Sequence, residues 1–137
     1  MKGYFLDTNV VIDFLAHRKP FAEHAAALFD AALAGKVKLY IGAISFNNIY
    51  YVLRKVIGHD KTLNLLDRLM EFVDVADVTG PILKRAISSK FRDFEDAIQY
   101  EAALTLVEID AIVTRNGKDF KNSELPLFNP REALAAL

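Results

Sequence analysis

The chain opens with the stretch YFLDTN at residues 4–9, in which an apolar run ends on a carboxylate and two further polar side chains. The run predicts a buried strand over residues 3–7, followed by a short helix over residues 10–16 that Asn9 is expected to cap. A carboxylate directly after a buried strand points into the crevice at the edge of a parallel sheet. Asp7 is therefore a candidate site residue, and the alternative is that it only caps the following turn.

The same alternation of apolar runs and helical patterns continues along the chain, with single glycines and prolines at the boundaries. Further strands are predicted at 37–44, 72–78, 110–114 and 127–128, and helices at 21–34, 45–57, 61–71, from 79, at 93–107 and from 129. Strands that alternate with helices form right-handed crossovers, which give a parallel sheet covered on both faces. We predict an α/β fold of three layers around a central, mostly parallel sheet of four to five strands, in a single domain of residues 1–137.

The composition excludes several classes of protein. Apolar residues make up 53% of the 137 residues and are spread along the chain, which argues against disorder. The longest apolar runs are far shorter than a membrane span and no secretory signal is visible, so we expect no contact with a membrane. The chain has no cysteine, which fits a cytoplasmic protein. The net charge of −1 means that a nucleic acid would need a local basic patch or a bound cation.

A second acidic motif, DFEDAIQ at residues 93–99, is predicted to lie at the same sheet edge as Asp7. Asp93 and Asp96 are three residues apart and share one face at the start of a helix. Acids at a helix start complement the helix dipole, and we expect Asp93 to act only in that way. Asp96 lies beside apolar residues that should face the sheet, so we expect it to turn inward, where a bare carboxylate needs a partner.

A third motif, VTRNGKDF at residues 113–120, leaves the fourth predicted strand as a polar loop. Asp119 is a candidate direct or water-mediated metal ligand, and the alternative is an ordinary Asn-Gly turn. Carboxylates gathered without basic partners repel one another, so one must become neutral or a divalent cation must lie between them. The Lys and Arg residues that could meet a phosphate backbone, each of which is otherwise a solvated charge, are Arg54, Lys55, Lys90, Arg92, Arg115 and Lys118.

The stretch SFNNIYY at residues 45–51 follows the second predicted strand, and Ser45 is expected to cap the helix that follows it. Asn47 and Asn48 are poor helix formers, so either they cap the helix or one of them faces the acids as a neutral oxygen ligand. The three histidines of the chain lack the spacing of a metal site. The aromatic residues expected in the core or at a dimer surface, with base stacking as the alternative, are Phe46, Tyr50 and Tyr51.

Three stretches together resemble the PIN-domain superfamily of metal-dependent ribonucleases, particularly the compact bacterial toxins of VapBC-like toxin–antitoxin pairs. These stretches are LDTNVVID at 6–13, DFEDAIQ at 93–99 and VTRNGKDF at 113–120, and the resemblance covers nearly the whole chain. It implies a PIN-like fold. It further implies a metal-dependent endoribonuclease that acts on RNA, forms a homodimer and binds a small antitoxin as the toxin of a type II pair.

The resemblance also implies roles for individual residues. The catalytic and metal-binding acids fall on Asp7, Asp96 and Asp119, which would hold one or two Mg²⁺ or Mn²⁺ ions. The implied supporting residues are Thr8, Asn9, Asp93, Thr114 and Asn116, and the implied substrate-binding residues are Arg115 and Lys118.

One position departs from the family pattern. Family members usually carry a glutamate early in the helix after the second strand, and here Asn48 holds that place, or Asn47 if the register shifts by one. An amide keeps one oxygen ligand but removes a full negative charge, so the affinity for Mg²⁺ should fall unless Asp93 or Glu95 compensates. The alternative function is therefore a weak or inactive PIN-like module that binds RNA or a protein partner.

Two other enzyme classes place an aspartate after the first strand. A phosphotransferase of the haloacid-dehalogenase type expects a second aspartate two residues later, where this chain has Asn9. A receiver-like domain expects a nearby acidic pair and a late lysine after a strand, which are lacking here. Neither pattern matches as well as the PIN-domain pattern.

Overall fold

The computed structural model describes residues 1–137 and contains one five-stranded sheet in the order β3-β2-β1-β4-β5. All four pairs of neighbouring strands are parallel, because each strand is followed by a helical crossover. The strands are β1 (Lys2–Leu6), β2 (Val37–Gly42), β3 (Asp74–Ala76), β4 (Ala111–Val113) and β5 (Leu127–Phe128). The predicted parallel sheet of four to five strands is confirmed.

Helices cover both faces of this sheet. They are α1 (Thr8–Leu15), α2 (Ala22–Leu33), α3 (Ala43–Ile57), α4 (His59–Leu69), α5 (Gly80–Ile87), α6 (Phe94–Leu104) and α7 (Pro130–Ala135), with a 3-10 helix at Gly117–Phe120. Alternate residues of β1 point to opposite faces, so Tyr4 and Leu6 belong to one apolar core and Phe5 to the other. The three-layer α/β/α prediction is therefore confirmed. None of these helices has both the length and the apolar character needed to cross a bilayer.

Two predicted helix starts at the site are wrong, by two residues for α1 and by three for α3. Helix α1 begins at Thr8, because the backbone carbonyl of Asp7 accepts the first helical bond from the Val10 N–H at 3.0 Å, so Asn9 is not the cap. Helix α3 begins at Ala43 after Gly42, so Ser45 is not its cap and already lies inside the helix. A side chain at position 42 would approach the Phe5 ring to 3.3 Å, which a glycine avoids.

The third strand is shorter than predicted. Only Asp74–Ala76 pairs with β2, whereas the apolar pattern predicted residues 72–78. The reason is that Phe72 still belongs to the turn that ends α4, since its N–H donates to the Leu69 carbonyl at 3.0 Å, and that β2 ends at Gly42, opposite Ala76. This edge is far from β4 and therefore does not change the arrangement of the site.

Candidate active site

Asp7 lies at the carboxyl end of the central strand β1 and is 4% exposed. Its side chain does not cap helix α1. Instead, Oδ2 accepts a hydrogen bond from the Thr114 hydroxyl at 2.8 Å, and Oδ1 accepts one from the Gln99 amide nitrogen at 3.2 Å. Burial raises the pKa of Asp7 and the negative charge of Asp119 adds to this, while the bonds from Thr114, Gln99 and the Thr8 backbone oppose it.

Gln99 is a site residue that the sequence analysis missed. It is fully buried on α6, and while its Nε2 donates to Asp7, its Oε1 accepts from the Thr8 backbone N–H at 3.2 Å. The Thr8 hydroxyl in turn lies 2.6 Å from the Ser45 hydroxyl. The signal in the sequence is its position three residues after Asp96, on the same side of the helix and among apolar neighbours. These polar groups connect α3, α1 and α6 and fix the orientation of the Asp7 carboxylate.

Asp96 lies on the first turn of α6 and faces the buried Asp7. Burial, followed by the charges of Asp7, Asp93, Asp119 and Glu95, raises the pKa of Asp96 to about 7. Burial and the charges of Asp7 and Asp93 likewise raise the pKa of Glu95. None of these five acids is among the ion pairs of the structure, so no basic side chain lies within 4.0 Å of their carboxylates.

Asp93 and Asp119 occupy the two sides of the same site. The carboxylate of Asp93 accepts the Asp96 backbone N–H at 3.0 Å, so Asp93 caps α6 as predicted. Asp119 lies in the 3-10 helix, where its own N–H donates to the backbone carbonyl of Asn116 at 2.9 Å. The Asn116 N–H donates to the Thr114 hydroxyl at 3.0 Å, so the turn holds both Thr114 and Asp119 next to Asp7.

The acids suit a hard divalent cation in their donor chemistry and charge. Carboxylate oxygens are the ligands that Mg²⁺ and Mn²⁺ prefer, and a cation would relieve the repulsion that raises the pKa of Asp96. No three Asp, Glu, His or Cys side chains, however, are close enough together to hold an ion as they stand. The residues therefore fit a metal chemically, and ligation requires their side chains to move closer to one another.

An open cleft of about 360 Å³ lies beside the acids and mixes both signs of charge. Asp93, Asp96 and Asp119 line one part of it. The remaining lining residues include four basic ones, Lys90, Arg92, Lys118 and Lys121, together with Phe91 and Asn122. We define these four as the basic rim. Lys118, predicted to bind substrate, thus lies at the cleft.

Arg115, which was also predicted to bind substrate, does not line the cleft beside the acids. Its Nε and Nη2 lie 2.5 and 3.2 Å from the two carboxylate oxygens of Asp13, and its guanidinium is 3.9 Å from the centre of the Phe21 ring. Asp13 is fully buried, and Arg18 approaches it to 3.9 Å from a second direction. The geometry does not support substrate binding by Arg115 at the acids. Asp13 was missed, although a single acid in the apolar stretch VVIDFL was a signal for a buried partner.

The three remaining asparagines of the prediction lie around the site without touching the acids. Asn48 is half-buried on α3, one turn after Ser45 and on the same side of the helix, while Asn47 is exposed. Asn9 is half-buried in the first turn of α1. No side-chain hydrogen bond joins any of these amides to Asp7 or Asp96, so Asn48 as a metal ligand stays a prediction.

The raised pKa of Asp96 predicts how stability depends on pH in the metal-free protein. Folded Asp96 holds its proton up to about pH 7, whereas the unfolded residue loses it near 3.8. This group therefore stabilises the fold fully below its unfolded pKa, and the contribution is lost as the pH rises through about 7. We expect a loss of about 1 to 2 kcal/mol, because the side chain is only half-buried and solvent screens it.

Urea unfolding in the presence of a chelator, at a pH below about 4 and at a pH above about 7, measures this loss of stability. Asp96→Asn should remove most of the pH dependence, whereas Asp67→Asn, which replaces an exposed acid on α4, should keep it. If wild type and Asp96→Asn showed the same change in the free energy of unfolding with pH, the repulsion at Asp96 would be refuted.

The fold and the acid site together define a class of protein. The family model described as PIN domain matches residues 4–118, which is most of the chain. The protein therefore belongs to the PIN domain family. A search among curated proteins found no match.

Solved structures similar to the chain carry the same fold. VapBC from Salmonella typhimurium bound to DNA has a TM-score of 0.70 at 17% identity, covering 95% of this chain and 99% of that one. Mycobacterium tuberculosis VapC20, a Sarcin-Ricin loop cleaving toxin, has a TM-score of 0.68 at 17% identity, covering 87% and 94%. VapBC2 from Rickettsia felis, bound to a promoter DNA fragment, has a TM-score of 0.65 at 18% identity, covering 93% and 98%.

Proposed function

We propose that this protein is a metal-dependent endoribonuclease that hydrolyses RNA phosphodiester bonds. The observation that supports it most is the pKa of Asp96, which burial and the nearby charges of Asp7 and Asp119 raise to about 7, beside a cleft with a basic rim. Acids alone would repel a polyanion, whereas acids with a bound cation attract one. RNA is the substrate class that the resemblance to PIN-domain ribonucleases implies.

In this proposal, each residue of the site has a separate task. Asp7, Asp96 and Asp119 hold one or two Mg²⁺ or Mn²⁺ ions, with Asn48 as a neutral oxygen ligand. A bound ion would lower the pKa of a water and stabilise charge on the attacking and leaving oxygens. Gln99 and Thr114 orient the Asp7 carboxylate through their hydrogen bonds, and the turn at Asn116 holds Asp119 in place.

Lys118 and the rest of the basic rim bind the backbone phosphates on either side of the cleaved bond. Such contacts position a strand without reading its sequence. Arg115 is left out of this set, because Asp13 already occupies two of its three guanidinium nitrogens.

We also propose that the protein acts as the toxin of a type II pair in the cytoplasm, as a homodimer that a small antitoxin inhibits. Support comes from the similar structures, several of which are VapBC complexes. Large apolar side chains that remain exposed on α3, on α4 and directly after α4 fit a protein contact, namely Tyr51, Val56, Leu63 and Met70.

An inactive PIN-like module that binds RNA or a protein partner is the second candidate. Two observations favour it, namely an amide at position 48 where the family usually has a glutamate, and the lack of three convergent carboxylates. In that case the acids would have no cation to bind and the cleft would serve binding alone.

Cleavage of labelled single-stranded RNA by the purified protein distinguishes the two candidates. Bound metal is first removed from the protein with a chelator, and Mg²⁺ or Mn²⁺ is then added. A DNA of the same sequence is the control that tests whether cleavage requires the ribose. We expect cleavage of RNA that requires the metal and returns when it is restored. RNA binding without cleavage at millimolar metal would replace the nuclease with the inactive module.

Asn48→Glu is expected to tighten Mn²⁺ binding by about tenfold, because a charged oxygen replaces a neutral one next to the other acids. Calorimetric titration measures the change. Asn47→Glu is the matched control, since it adds the same charge to the same helix at an exposed position. If both variants bound Mn²⁺ like the wild type, Asn48 would not be a ligand.

A further inference from the structure

A second cleft, of about 270 Å³, opens beside the loop that follows β4. Its lining residues are Phe21, His24, Arg115, Asn129, Pro130 and Arg131. Two of them are arginines, a third is a histidine, and none is acidic. The nearest acid of α7, Glu132, is already bound to the Asn129 backbone N–H at 2.9 Å. The second cleft therefore carries positive charge in a protein whose net charge is −1.

Arg115 is held rigidly in the wall of this cleft. Asp13 binds its Nε and Nη2, and the face of Phe21 lies against the guanidinium. Its Nη1 makes no hydrogen bond, and 22% of the side chain is exposed. Because Arg18 also approaches Asp13, one buried negative charge faces two positive ones, and an excess of positive charge remains.

The second cleft lies close to the acid site along the chain. Arg115 directly follows Thr114, whose hydroxyl binds Asp7, and it precedes Lys118 of the basic rim by three residues. Three residues of extended chain span at most about 11 Å. The loop from Thr114 to Lys118 thus has the acid site beside it and places Arg115 of the second cleft within about 11 Å of the basic rim along the chain.

We propose that the second cleft binds a backbone phosphate of the RNA strand, on one side of the bond that is cut at the acids. This inference rests on the proposed function, and it adds a second contact that sets the minimum length of a good substrate. Arg131 and the Nη1 of Arg115 pair with the phosphate oxygens, and His24 lies at the edge of the cleft.

The contact is expected to be independent of base sequence. The guanidinium of Arg115 already covers one face of Phe21, and a base that stacked on the other face would do so with little regard to its identity. The lining residues that remain offer charge and hydrogen bonds that suit a phosphate. Loss of this contact should therefore weaken all RNA sequences about equally.

Binding and cleavage of single-stranded RNAs of increasing length test the proposal. Binding is measured by fluorescence anisotropy in an Asp96→Asn background, in which cleavage is blocked, and cleavage is measured with Asp96 intact. Arg131→Ala is compared with Arg68→Ala, which removes the same charge from α4 in a different cleft. His24→Ala is a second variant of the cleft.

Affinity should rise by about tenfold once the RNA is long enough to reach the second cleft, and Arg131→Ala should abolish this gain while Arg68→Ala keeps it. The dependence of log affinity on log salt should also become shallower by about 0.7 in Arg131→Ala. With Asp96 intact, kcat/KM should show the same length dependence.

The proposal that the second cleft binds a phosphate would be overturned if short and long RNAs bound with equal affinity, or if Arg131→Ala kept the gain in affinity. This would hold even if the wild type cleaved RNA in a metal-dependent way. A gain that Arg131→Ala removes, in a protein that never cleaves RNA, would support the cleft and overturn only the nuclease. The two proposals thus fail separately.

Discussion

Asp96→Asn is expected to reduce RNA cleavage by at least about a thousandfold, because it removes a charged ligand from the ion that stabilises the reacting oxygens. In the metal-free protein, the same change should raise the melting temperature above pH 7, where Asp96 is ionised among other acids. Activity and stability thus change in opposite directions. The measurements are initial rates with Mn²⁺ and thermal unfolding in a chelator.

A loss of activity together with a gain in stability distinguishes a residue of the active site from a structural residue. A structural carboxylate should lose stability on replacement, and its loss of activity would follow from unfolding. Asp93→Asn serves as the comparison, since Asp93 caps α6 and its amide variant can still accept the Asp96 N–H. If Asp96→Asn kept more than about a tenth of the wild-type rate, Asp96 would not be a metal ligand of the reaction.

Arg115→Ala is expected to lower the free energy of unfolding by about 3 kcal/mol, because it leaves the buried carboxylate of Asp13 without its main partner. Asp13 is fully buried, while the second cation, Arg18, reaches only one of its oxygens, at 3.9 Å. Urea unfolding of the wild type and the variant measures the difference. Arg115→Lys should recover only part of it, since an ammonium cannot bind both oxygens as the guanidinium does.

The matched control is the double variant Asp13→Asn/Arg115→Ala. Removal of the buried charge together with its partner should be less destabilising than Arg115→Ala alone, because an amide costs less to bury than an unpaired carboxylate. If Arg115→Ala lowered stability by less than about 1 kcal/mol, in the range of an exposed pair, the ion pair would not hold the loop.

The ion pair matters for function as well as for stability. Asp13 lies on α1 and Arg115 on the loop after β4, so their bond ties the helix that follows Asp7 to the loop that precedes Asp119. A loosened loop would move Thr114 away from Asp7 and the Arg115 guanidinium away from the second cleft. Arg115 is therefore a positioning residue for the acids and a direct contact for the proposed phosphate.

Local patterns were sufficient for the sheet and for the choice of the candidate acids. The apolar run before Asp7 and the alternation with helices indicated a parallel sheet, because burial on both faces leaves few other arrangements. Asp96 was predicted to face inward from its apolar neighbours, and its raised pKa agrees with that placement. The PIN-domain resemblance, which rested on three separated motifs, is confirmed by the family match to residues 4–118.

The contacts around the acids were not predictable in the same way. No role was predicted for Gln99, and Ser45 was predicted to be a helix cap. Each instead bonds to a group far away in the chain, with Gln99 reaching Asp7 across 92 positions and Ser45 reaching Thr8 across 37. Residue spacing along one element says nothing about such pairs, because they depend on how α1, α3 and α6 pack over the end of the sheet.

By itself, the sequence determined the class of fold and the candidate acids, because these follow from the order of apolar and polar residues along single elements, and the family through the resemblance of its three motifs. Only the tertiary structure decided that Arg115 binds Asp13 rather than the acid cleft. The physical reason is that a long charged side chain pairs with the strongest buried charge within its reach. Which charge is nearest, and how deeply it is buried, is set by packing.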